Sequence, residues 1–128
     1  MAEALVTAHS IVRWFVIAGL LATVVAGATL WARKEAWSMG YSRVVAVAVG
    51  LFDLQVLLGV LVWVTNKGWN LGFFLAYLHP LGMIAAAVVA HVAAARLKKR
   101  PAAAFAPTAA LFGSLAIVVL LVPRGAWF

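Results

Sequence analysis

Four apolar stretches, each about as long as a bilayer is thick, occupy most of this chain and leave it one architecture to fold into. A helix needs about 20 residues to cross the hydrocarbon core. Runs of that order lie at 11–32, 44–64, 75–97 and 103–122. Each is followed by residues that end a span: Arg33-Lys34-Glu35, Thr65-Asn66-Lys67-Gly68, Lys98-Lys99-Arg100-Pro101 and Pro123. Pro107 falls in the first turn of the last run, where a missing N–H does no harm. In hydrocarbon the backbone must pair within its own segment, so these runs are helices. Short connections make successive helices antiparallel. The expectation is an all-α, integral membrane up-down four-helix bundle forming one domain over residues 1–128.

Composition agrees. The chain is 67% hydrophobic, and ten Lys/Arg with three Asp/Glu cannot cover a water-facing surface. Its net charge of +7 does not signal nucleic acid, because most cations sit in two short runs between spans rather than on a basic face. The lipid bilayer is the expected partner. The absence of Cys excludes disulfides, thiolate metal sites, iron–sulfur clusters and covalent c-type haem. The start, Met1-Ala2-Glu3-Ala4, lacks the cationic region of a secretory signal, so no cleavage is expected.

The same cations set an orientation. Arg33, Lys34 and Arg43 in one loop, with Arg96, Lys98, Lys99 and Arg100 in another, make seven against Lys67 and Arg124 on the other side, leaving aside Arg13 within the first span. Both termini and the 65–74 loop are therefore expected outside, in a bacterial cytoplasmic membrane. Trp14, Trp63, Trp69, Tyr77 and Trp127 would form the outer aromatic belt, and Trp31, Trp37 and Tyr41 the inner one. Small residues suited to close helix approach recur as Ala18, Ala22 and Ala26 on the first helix and as Gly82, Ala86, Ala90 and Ala94 on the third.

Polar groups within spans cost roughly 2.5–3.5 kcal/mol each on insertion scales, so the few present direct the search for function. They are His9, Arg13, Asp53, Gln55, His79 and His91. His9 and His79 both enter from the side carrying the termini and stand at nearly one level. Helices one and three are diagonal in a four-helix square, with axes about 14 Å apart for neighbours spaced near 10 Å. Two imidazoles across that diagonal suit an iron porphyrin with one ligand on each face. Gly82, Met83, Ala86 and Ala90 would make room for the macrocycle. The plainer alternative is that His9 and His79 are solvated or capping groups at helix ends.

Arg13 lies one turn from His9 on the same face. It can meet a haem propionate, extend to the interface, or pair with Asp53. A structural Arg13–Asp53 ion pair is the simpler expectation. In the functional alternative, Asp53, Gln55 and His91 line a proton path or a quinone pocket. His91 is twelve residues from His79, about 18 Å along the helix, so it cannot share an iron with it; a hydrogen bond to Asp53 is the economical role. Met83, four residues after His79, raises a His9–His79–Met83 copper set, although Met is more often packing material. No nucleophile–base pair, phosphate loop or paired carboxylates point to hydrolysis or phosphoryl transfer.

The blocks His9-Ser10-x-x-Arg13-Trp14, Asp53-x-Gln55-x-x-Leu58-Gly59, His79-Pro80-x-x-Met83, His91 and Val122-Pro123 resemble, in order and spacing, a family of small bacterial four-helix membrane proteins often labelled cytochrome b-like. The resemblance covers nearly the whole chain and implies that His9, His79 and His91 are among the family's characteristic residues. Three expectations follow. The first is a b-type cytochrome with haem b between helices one and three, transferring electrons, with quinone as a further candidate cofactor. The second is a cofactor-free accessory subunit of a larger respiratory or photosynthetic complex, or a homo-oligomer. The third is a copper-binding membrane protein.

Overall fold

The structure, a computed structural model, describes residues 1–35, 39–99 and 105–126. The belt residues Trp37 and Trp127, the stop at Arg100-Pro101 and the expected start of the fourth span at 103 lie outside them. Among the described residues there are four α-helices and no strand: α1 (Ala2–Arg33), α2 (Met39–Thr65), α3 (His79–Lys99) and α4 (Phe105–Leu121). A 3₁₀ turn (Gly68–Asn70) and a π-helical turn (Phe74–Leu78) join α2 to α3, and a second 3₁₀ turn (Arg124–Ala126) follows α4. Three segments, Ala2–Arg33, Gly40–Thr65 and Phe74–Leu97, are long and apolar enough to cross a membrane. The fourth has 17 residues, at the short end of the spanning range of about 17–25.

The helices pack in chain order round a square, each against the next and α4 against α1, which leaves α1 and α3 on a diagonal as expected. Phe52, Leu20, Leu30, Leu97 and Leu111 fill the centre. The outside stays apolar: Leu120 is 79% exposed, Val47 64% and Leu81 63%, a surface that calls for lipid rather than water.

α1 begins at Ala2, nine residues before the expected span, so it is about 48 Å long at 1.5 Å per residue and exceeds the core thickness. Glu3 in its first turn complements the helix dipole. His9 therefore sits within a continuous helix and does not cap its start. The other end closes on Lys34 in the left-handed region (φ 56°), with the Glu35 N–H donating to the Leu30 carbonyl at 2.9 Å, a Schellman-type stop.

The close-packing face of α1 differs from the one expected. Ala18 and Ala22 are exposed, whereas Gly19, Thr23 and Gly27 face the neighbours. A Cβ on Gly19 would stand 3.3 Å from the Cβ of Ala48, and one on Gly27 would run into Thr108. On α3 the small face does serve packing. Ala86 and Ala90 are fully buried, the Ala86 carbonyl accepts a 2.8 Å hydrogen bond from Ser114 Oγ of α4, and Gly82 makes room for Leu121. Those residues accommodate α4 rather than a macrocycle, and of the four only Met83 reaches the cavity described next.

Candidate functional site

Pro80 shapes the entry to α3. It has no N–H to offer the Ala76 carbonyl four residues back, and its ring crowds that carbonyl. The backbone widens into the π-turn Phe74–Leu78, and the His79 N–H donates to the Phe74 carbonyl five residues back. Ala76 finds its donor elsewhere: Trp63 Nε1–H reaches its carbonyl oxygen at 3.2 Å. Trp63 packs edge-on against Trp69, with ring centroids 5.3 Å apart, and Gly68 passes beneath its ring. Single π-turns of this kind concentrate at functional sites. This one delivers His79 into the bundle.

His79 lines a cavity of about 460 Å³ between the helices, at the end of the bundle carrying both termini. That volume falls in the usual range for small-molecule and cofactor sites, roughly 300–1,000 Å³. Its walls are largely apolar, including Val16, Phe52, Val56, Val118 and Val122, while His9, Ser10, Arg13, Gln55 and Asn66 join His79 as its polar lining. His79 Nδ1 lies 2.7 Å from the Leu121 carbonyl oxygen. A carbonyl only accepts, so the proton is on Nδ1 and the lone pair on Nε2. A backbone carbonyl behind one ring nitrogen is the usual means of fixing an imidazole as a metal ligand through the other.

His9 enters from α1, on the diagonal from His79. Its Nε2 lies 3.3 Å from Gln55 Nε2, which donates to it. Its ring rests over Gly59, where a Cβ would come within 3.1 Å of His9 Cε1 and push the ring aside by a few tenths of an ångström. Arg13 donates to the Ala126 carbonyl at 2.7 Å and lies over the Trp14 ring. Among the described residues, four buried side-chain polar atoms lack a partner, and three of them, His9 Nδ1, Arg13 Nε and Gln55 Oε1, belong to residues lining this cavity. Each such atom costs about 1–3 kcal/mol. All three belong to residues grouped around this one space.

The structure corrects the expected Arg13–Asp53 pair. Asp53 instead accepts a 2.7 Å hydrogen bond from His91 Nε2, on the lipid-facing side between α2 and α3. Nor do Asp53, Gln55 and His91 share a site. Residues 53 and 55 are about 200° apart round a helix, so Gln55 faces His9 while Asp53 faces outward. His9, Arg13, His79 and Met83, the cofactor-binding candidates from the sequence, all line this cavity. The Leu121 and Ala126 carbonyls, the Gln55–His9 contact and the Trp63 brace were not expected from the sequence; Gly59 and Pro80 were the available signals.

Among the described residues no three His, Asp or Glu side chains gather to hold a bare metal ion. Comparison with known proteins finds no family model, no curated sequence and no solved structure that matches the chain.

Proposed function

We propose that this chain is a membrane b-type cytochrome, holding one haem b in the cavity between α1 and α3 and passing electrons at the outer side of a bacterial cytoplasmic membrane. The observation that carries this reading is the pair of histidines on one cavity from diagonal helices, with the His79 tautomer fixed by the Leu121 carbonyl. Two protein nitrogens are too few for most bare ions but suffice for haem iron, whose other four donors are the porphyrin's. Haem supplies the one-electron chemistry when bound. The chain's own part is to ligate through His79 Nε2 and through His9 Nδ1, whose lone pair is free when the Gln55 amide is turned so that Oε1 accepts from His9 Nε2–H, and to keep water from the apolar walls. Arg13, with its unpartnered Nε, suits a propionate carboxylate. The same cation speaks against copper at the His9–His79–Met83 set, because it would repel a bare ion there. The excess of Lys and Arg in the 33–43 and 96–100 segments supports placing both termini outside.

The test is a reduced-minus-oxidised absorption spectrum of the detergent-purified chain, with haem quantified as the pyridine haemochrome. The expected result is a b-type signal at about one haem per chain, lost in His79→Ala and His9→Ala. A protein that stays colourless when expressed with ample haem, or a spectrum untouched by both substitutions, overturns the reading.

A further inference from the structure

The proposed haem site leaves one polar pair unused. Asp53 and His91, bonded at 2.7 Å, have side chains 53% and 54% exposed on the outer surface of the bundle, within the apolar segments of α2 and α3. Lipid offers such groups no hydrogen bonds, and ionisable residues kept within spans are functional by default. They do not stand on a flat face. A groove of about 400 Å³ runs between α2 and α3 from Ser42 and Leu97, near the loop end, up to the pair. Its sides include the small residues Ala46, Gly50, Ala94 and Ala95. A Cβ built on Gly50 meets nothing within 4 Å, so the space there is open.

We infer that this groove binds the headgroup of a lipid-soluble quinone, with His91 as its hydrogen-bonding partner and Asp53 as the group that orients His91. Three features select this class. The groove opens to hydrocarbon, so its ligand must partition there, and small residues on both helices leave a slot suited to a flat ring. Its concavity disfavours a second copy of the chain, since two facing grooves would leave a void. The pair itself is bifunctional. With Nε2–H held by Asp53, neutral His91 presents Nδ1 as an acceptor for a quinol hydroxyl. Protonated, the ring presents the same atom as a donor to a quinone carbonyl. An acyl ester needs only the donor. The inference rests on the cytochrome reading in one respect: Phe52 lines the haem cavity and the next residue, Asp53, lines the groove, so only α2 lies between them.

The experiment is photolabelling of the full chain in nanodiscs with an azido-benzoquinone bearing a ten-carbon tail, mapped by mass spectrometry and competed with the unmodified quinone. Saturable labelling of about one per chain is expected, within residues 42–53 and 91–97. His91→Phe and Gly50→Leu, the latter growing from a Cβ position with nothing within 4 Å, should weaken competition tenfold or more. His79→Ala should leave it unchanged, so loss of haem and loss of quinone are separate outcomes. Labelling that is unsaturable, unaffected by both groove substitutions, or competed equally by a diacylglycerol overturns the proposal. So does an unlabelled dimer that His91→Phe converts to monomer, since the groove would then be a subunit interface.

Discussion

The two polar regions of this molecule solve the problem of charge in lipid in opposite ways. The His9–His79 cavity is lined from all four helices and the segment after α4, and it borrows backbone carbonyls of Leu121 and Ala126 to steady its side chains. The Asp53–His91 pair has no such help: two side chains from adjacent helices satisfy each other and remain half exposed. The first region is woven into the packing, with unpartnered atoms of His9, Arg13 and Gln55 enclosed beside the cavity. The second is attached to the outside of a core that does not need it. Disturbing the first should therefore cost pigment and stability together, whereas disturbing the second should cost neither.

The largest effect belongs to His79. His79→Ala is expected to remove essentially all bound haem, read by pyridine haemochrome; retention above half would place the iron elsewhere. Next is Gly82→Val, because a side chain there meets Leu121, whose carbonyl holds His79. Overpacking of this kind costs about 1–3 kcal/mol. A lower thermal midpoint in detergent and a shifted haem spectrum are expected, and an unchanged midpoint would show that the Leu121 side chain turns aside without moving its carbonyl. Gln55→Leu is milder. It removes the partner of His9 at a cost of about 0.5–1.5 kcal/mol. Haem should remain bound with an altered low-spin electron paramagnetic resonance signal, and an identical signal would mean that Gln55 does not orient His9. Smallest of all is His91→Phe, expected to leave haem content unchanged and stability within about 0.5 kcal/mol, as for surface substitutions. A large loss of haem in this variant would erase the contrast between the two regions.

Much of the fold was legible because it depends on counts. Four runs of spanning length joined by short links fix the number of helices, their alternation and the α1–α3 diagonal. The polar residues were legible because lipid makes each conspicuous. Rotation was not. A helix that faces lipid on one side and other helices on the other is apolar all round, so its sequence carries no phase to separate Ala18, Ala22 and Ala26 from Gly19, Thr23 and Gly27. One part of that phase was nonetheless available, since residues 53 and 55 cannot share a helix face. The contacts of His79 and Arg13 escaped for a different reason: their acceptors are backbone carbonyls, which every residue carries, so Leu121 and Ala126 announce nothing by their identity.

The π-turn before His79 has a consequence for chain length. A π-turn accommodates one residue more than an α-turn in the same place, as an insertion absorbed without breaking the helix. Removing one residue from 74–78 would take away the extra residue that lets the backbone widen around the Pro80 ring. It would also swing everything before the turn by about 100° relative to α3. The Ala76 carbonyl would leave the Trp63 indole, and the 66–73 connection would have to cross the bundle end along a different line. A one-residue difference in a loop of this size is ordinarily silent; here it would decide whether the second and third helices remain joined in register.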